Sequence, residues 1–283
     1  MPIAEDGYEL GDGMVMALAH ITNISPRPDQ FLRFRVDAEL IGKMRPGGLA
    51  PVFKIFTART DGSPITLPVF DRNRLALPSW ESDPTRPLAR AYTALDFTNG
   101  DQHITFDALN LHDTRSWTHR AKIGDTVGII GFKHELALSE DSTRLLLVGD
   151  RSAKPAIDEI IRSAPSRLRT TVISVGEGVD AEHAAILQLR LALNDAPANT
   201  VVWIAGEVEQ AATMRCIALA NGIAASDIIA LPYWHQGLSR EQYDHVLYRR
   251  YQAAADNGES LTNHETIARV ELTPVNATEA ESV

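Results

Sequence analysis

The stretch Arg144-Leu145-Leu146-Leu147-Val148-Gly149-Asp150-Arg151-Ser152-Ala153-Lys154-Pro155-Ala156-Ile157 marks the change from one kind of pattern to another along the chain. Its first residues form a short apolar run, as in a strand covered on both faces. The later ones pass into Ile157, Ile160 and Ile161, the spacing of one helix face. Gly149 lets the chain turn off the strand, and Ser152 stands where a hydroxyl either caps the following helix or donates to a bound ring. The same succession recurs at Thr200-Val201-Val202-Trp203-Ile204, which runs into Ala205-Gly206-Glu207 and a second helical pattern. Strands are predicted over 145–148, 170–175, 201–205 and 228–231, with helices over 156–163, 181–189 and 210–221. Such alternation implies a parallel α/β sheet, whose ligands sit at the carboxyl ends of the strands, where Gly149-Asp150 and Gly206-Glu207 fall. No G-x-G-x-x-G is present.

Upstream of the polar turn Ser139–Thr143 the period shortens to two. Strands are predicted over 15–24, 30–36, 51–58, 91–97, 103–109 and 126–131, a density that implies an antiparallel β-barrel. Beyond Gly237, the stretch Ser239-Arg240-Glu241-Gln242-Tyr243 reads as a Ser cap with an acidic first turn, and an amphipathic helix is predicted over 247–255. From Asn257 the chain is polar and acidic, and a disordered tail is expected from Thr273 onward. The expected domains are 1–139, 140–237 and 238–283.

With 283 residues, 44% hydrophobic and 23% charged, the chain has the composition of an ordinary globular protein long enough for two domains. A formal net charge of −10 argues against a general nucleic-acid surface. The single Cys216 excludes an internal disulfide and a cysteine-ligated iron–sulfur cluster, so any electron carrier must be something else. No apolar run is long enough to span a bilayer and the first residues lack the basic start of an export signal, so a cytoplasmic protein without membrane partners is expected.

The most chemically suggestive motif is Arg90-Ala91-Tyr92-Thr93. In a strand, Arg90 and Tyr92 share a face and Thr93 takes the other, bringing a cation, a flat ring and a hydroxyl into one small volume. A guanidinium fork pairs with phosphate, a phenol lies against an isoalloxazine and a Thr hydroxyl or amide reaches a ring nitrogen, a set that suits a flavin. Without further context, a sheet edge with a surface Arg explains the same residues.

The order R-x-Y-T, G-D-x-S-A-x-P-A-I (149–157), W-x-A-G-E (203–207) and Y-W-x-x-G (233–237) resembles the siderophore-interacting protein family, flavin-dependent ferric-siderophore reductases related to the ferredoxin-reductase fold. The resemblance runs from about Ala17 to Gly237. It implies that Arg90, Tyr92 and Thr93 hold FAD, with Tyr92 and Thr93 at the reacting ring. Asp107 and His112 match the family's D-F-V-L-H segment beneath the FAD. Where relatives carry Gly-Pro-Ala-Ser before a Trp, this chain has His112-Asp113-Thr114-Arg115-Ser116-Trp117, leaving Arg115 or Ser116 to supply the pyrophosphate donors. The family's Arg two residues after the Thr is Leu95 here, and Gly131-Phe132-Lys133 replaces a Gly-Pro and a basic residue. In the second domain Asp150, Ser152, Gly206 and Glu207 line the place of the nicotinamide of NADPH or NADH, Glu207 either facing that ring or opening the next helix. Tyr233 and Trp234 either close over the flavin or pack in the core.

A ferric siderophore, the implied substrate, is commonly anionic. Lys54, Lys133, Arg249 and Arg250 are the cations whose positions match a basic pocket, and each is otherwise an ordinary surface charge. The iron would arrive inside its chelator, so no protein metal ligand is expected. Two rivals remain: ferredoxin as the electron donor, and a non-catalytic member that has lost the flavin.

Overall fold

The computed structural model describes residues 7–11 and 14–276 apart from 46–47, 60–62, 69–82, 84, 99, 111–115, 134–135, 137, 195 and 197–198, together with 279. The chain divides into two compact units, Met1–Ala137 and Leu138–Val283. The C-terminal helices thus belong to the second unit.

The first unit is built from β1 (Gly7–Gly11), β2 (Met14–Arg27), β3 (Phe31–Asp37), β4 (Val52–Thr57), β5 (Leu88–Thr93), β6 (His103–Leu109), the short helix α1 (Trp117–Arg120) and β7 (Thr126–Lys133). The strands pair antiparallel in the order β5-β4-β7-β2-β3-β6, with β1 added to β2. The two ends of that path meet where the Leu95 amide donates to the Thr105 carbonyl at 2.7 Å, curling the sheet into the expected barrel. Alternation along each strand drives one face inward. Phe34, Phe53, Phe106 and Trp117 meet there with Val15, Ile21, Ile55 and Ile129.

One strand differs from its prediction. The stretch expected over 91–97 is paired only over Leu88–Thr93. Thr93, Ala94 and Leu95 are buried in succession and Asp96 takes a φ of 53°, so the chain turns inward and the period of two ends at Thr93. β1 was not predicted.

The second unit contains β8 (Arg144–Gly149), α2 (Lys154–Ser163), β9 (Arg169–Ser174), α3 (Val179–Asn194), β10 (Thr200–Glu207), α4 (Val208–Ala220), β11 (Ile228–Trp234), α5 (Arg240–Asp256) and α6 (His264–Leu272). Its sheet is wholly parallel, in the order β11-β10-β8-β9. Every residue of the central β10 is buried, as expected when helices cover both faces. A Cβ on Gly149 would lie 2.7 Å from the Cβ of Ala153, so only glycine lets α2 pack this close to β8. β11 runs three residues past its prediction because Pro232 sits on an edge strand, opposite Gly206, where its missing N–H costs no ladder bond.

Ser239 caps α5, with Gln242 completing a capping box, but α5 is longer than predicted and α6, capped by Asn263, was not expected. The weak apolar signal of α6 reflects a buried face that ends in Val270 and Leu272 alone. Past α6, the described residues Thr273, Pro274 and Glu279 are attached to α5. The carbonyls of Thr273 and Pro274 and the Glu279 carboxylate all accept from Arg250.

Candidate functional site

On the barrel, β5 is an edge strand that pairs with β4 alone among the described residues. The Ala94 amide donates to the Pro51 carbonyl at 2.8 Å, so by alternation the backbones of Tyr92 and Arg90 face β4 while the amides of Ala91 and Thr93 point away from it. Register fixes the side chains as well. Arg90 stands opposite Ile55 and Tyr92 opposite Phe53, on the face that carries the core. Thr93 lies opposite Val52, itself opposite Lys133, and Lys54 is two residues along the same face of β4. Thr93, Lys54 and Lys133 therefore share one face of β5–β4–β7, with both lysines exposed.

Tyr92 is held firmly. Its ring centroid is 4.8 Å from that of Phe106 and 5.9 Å from that of Trp117, and its hydroxyl accepts the Trp117 indole N–H at 2.9 Å. Trp117 is the residue that motif reading passed over, although it directly follows the Ser116 singled out there. Arg90 donates to the carbonyl of Ala89 at 2.6 Å. Asp107 is engaged by its cross-strand neighbour Arg33 through two bonds of 2.7 and 2.9 Å, and that bond raises the pKa of Arg33. The Ser116 hydroxyl meets that of Thr118 at 2.8 Å. His112 and Arg115 lie outside the described residues. An outward amide at Thr93, a guanidinium at Arg90 and the half-buried ring of Tyr92 on one strand edge form a donor set that fits a flavin and its phosphate.

In the second unit the strand order reverses between β8 and β10, which makes their carboxyl ends the topological switch point. Two carboxylates occupy it. Asp150 Oδ1 accepts from the amide and hydroxyl of Ser152 at 2.7 and 2.5 Å. Its Oδ2 accepts from the Glu207 amide at 3.0 Å and the Trp234 indole at 2.7 Å. Glu207, 4% exposed, caps α4 by accepting from the amides of Glu209 and Gln210 at 2.6 and 3.1 Å, and its other oxygen accepts the Gln236 amide at 3.1 Å. Gly206, at φ 148°, is obligatory, because a Cβ there would lie 2.7 Å from Asp150 Oδ2. The crevice beneath has a volume of 10 Å³, which admits about one water.

Tyr233 packs edge-on to Trp203 with centroids 6.4 Å apart, and its carbonyl accepts from Arg240 at 3.0 Å. Trp234 is 42% exposed at the end of β11. Arg249 donates to the Glu279 carbonyl at 3.1 Å. In Arg250 all five N–H donors are engaged, by Glu279 and the carbonyls of Val270, Thr273 and Pro274. Arg250, expected near the substrate, anchors the C-terminal segment through these bonds. Among the described residues no group of His, Cys, Asp and Glu is arranged to hold a metal ion, and no helix is long and apolar enough to cross a membrane.

Residues 17–135 match the family model of the siderophore-interacting FAD-binding domain. The ferric vibriobactin reductase ViuB of Vibrio cholerae is 25% identical over 219 residues, covering 67% of this chain and 78% of that protein. The siderophore-interacting protein of Acinetobacter baumannii superposes with a TM-score of 0.65 at 16% identity, covering 86% of this chain and 99% of its own. A ferredoxin reductase of carbazole 1,9a-dioxygenase, in an FAD apo form, superposes with a TM-score of 0.53 at 13% identity, over 77% of this chain and 65% of that one. The two-unit fold is thus shared with these structures, and residues 17–135, the barrel, are similar to a siderophore-interacting FAD-binding domain.

Proposed function

We propose that this protein is an oxidoreductase that passes electrons through FAD to the Fe(III) of a ferric siderophore, releasing the iron as Fe(II). The observation that carries the reading is the β5 edge, where Arg90, Tyr92 and the outward Thr93 amide share one short strand inside the region matched by the FAD-binding family. FAD supplies the conversion between a two-electron donor and one-electron steps. Arg90 holds phosphate, Tyr92 backs the ring in the orientation set by Trp117, and Thr93 donates at the redox edge. Lys54 and Lys133, on the face of Thr93, attract an anionic chelate. Similarity to a ferric vibriobactin reductase supports the substrate class.

The electron source is NADPH or NADH in one form of this reading and reduced ferredoxin in the other. A specific observation favours the second: at the switch point the amides of Ser152, Glu207, Gln210 and Gln236 already serve Asp150 and Glu207.

The reductase reading is tested without reference to the donor. FAD-loaded protein reduced anaerobically with dithionite should recover its oxidised absorption bands on addition of ferric siderophore, with Fe(II) captured by a ferrous chelator. A reduced flavin that ferric siderophore leaves unchanged rejects the reading. A protein that takes up no flavin is the non-catalytic member instead.

A further inference from the structure

A dinucleotide on a parallel α/β sheet is held chiefly by its pyrophosphate, which sits on backbone amides at the first strand-to-helix turn and at helix N-termini beside the switch point. In this chain those positions are the turn after β8 and the start of α4. We propose that Asp150 and Glu207 act as internal anions that fill them, making these two residues selectivity determinants that keep pyrophosphate-bearing donors off this edge of the sheet. The inference rests on the reductase reading only in calling the excluded ligand an electron donor.

At both positions, donors that a phosphate would use are already engaged. At the first turn, the amide and hydroxyl of Ser152 both donate to Asp150. The start of α2 is poorer still, because Pro155 has no N–H and the Lys154 ammonium pairs with Asp158 at 2.7 Å. At the start of α4, the Glu209 and Gln210 amides donate to Glu207. The Glu207 and Gln236 amides and the Trp234 indole close the ring between the strand ends. A second anion laid on this crest would find two carboxylates where it needs donors, and like charges at such range disfavour each other strongly. The crevice cannot relieve the conflict by taking the ligand inward, since it has room for about one water. Nor does either side chain swing aside freely: Glu207 is 4% exposed, and Asp150 is tied to elements on either side of it, the turn after β8 and the ends of β10 and β11.

The test is calorimetric titration of the FAD-loaded wild-type protein, and of its Asp150→Asn and Glu207→Gln variants, with NADPH and separately with inorganic pyrophosphate. The wild type should bind either ligand no more tightly than ~1 mM, and removing one charge should tighten pyrophosphate binding about tenfold. Wild-type NADPH binding below ~100 µM that pyrophosphate competes away overturns the inference, as does folded variants' affinity equal to that of the wild type. Near-ultraviolet circular dichroism establishes which variants are folded, and if neither is, the wild-type competition decides alone. Because reoxidation of dithionite-reduced flavin by ferric siderophore is independent of this crest, failure here leaves the reductase reading standing, and failure there leaves this one measurable.

Discussion

The carboxylate of Asp150, just past the end of β8, accepts the indole N–H of Trp234 on β11 at 2.7 Å, reaching across the intervening β10. One side chain thereby ties three strand ends together, since the same oxygen also accepts the Glu207 amide. Trp234→Phe keeps the ring and removes the N–H. A hydrogen bond to a charged group contributes ~1.5–3 kcal/mol, and exposure of the indole puts the expected loss at the lower end of that range. Urea unfolding followed by circular dichroism measures it. An unchanged midpoint would show that the bond contributes nothing.

Tyr92→Phe tests the support of the proposed flavin platform. Trp117 is 7% exposed, so the substitution strands a buried indole donor at a cost of ~1–3 kcal/mol. A lower melting temperature is expected in the flavin-free protein, together with weaker FAD binding, because the ring loses the contact that orients it. If melting falls but FAD affinity is unaltered, the Trp117 contact serves folding alone.

Arg90→Ala removes the proposed phosphate partner. FAD affinity should fall by ~1.5–3 kcal/mol, a factor of roughly ten or more, with the melting temperature of the flavin-free protein little changed. Titration by quenching of FAD fluorescence reads the difference directly. Equal affinity in mutant and wild type would remove Arg90 from the site.

Substitution of Lys54 or Lys133 by Ala separates attraction of substrate from folding. Half-saturation by an anionic ferric siderophore should rise, and should rise less in high salt as the Debye length falls from ~8 Å at 0.15 M. A neutral ferric hydroxamate and the flavin spectrum should be nearly unaffected. Parallel losses for both chelates would point to a packing defect.

Glu279 accepts from Arg250, and that bond, named first among its influences, holds its pKa below the usual 4.5. A depressed folded value means the anchoring contributes fully above the unfolded pKa and is lost as pH falls through the folded one. The protection of amides around residues 273–276, measured against their intrinsic exchange rates at each pH, should therefore fall on acidification below that range. Arg250→Ala should give the low protection already at neutral pH and abolish the dependence. Undiminished protection in that variant would falsify the anchor.

Much of this protein is legible in its residues because the signals are local. The apolar run at 145–148 followed by Gly149, and its repetition at 201–205 before Gly206, encode strands that leave toward helices whatever surrounds them, and the alternation before Ser139 encodes a barrel. The facing of Arg90 and Tyr92 against Thr93 likewise follows from the period of a strand. Pairing is not local. Only the fold sets Trp117 against Tyr92, 25 positions apart in the chain, and Arg33 against Asp107. Only the order β11-β10-β8-β9 brings Asp150, Glu207 and Trp234 to one crest and turns two acidic residues, equally readable as ligand contacts, into acceptors for the chain's own donors. The C-terminal segment shows the same division: its polarity reads as a free tail, and five hydrogen-bond donors on one arginine from α5 hold it in place. Sequence periodicity reports which way a side chain faces, whereas its partner depends on which distant strand or helix the topology puts opposite.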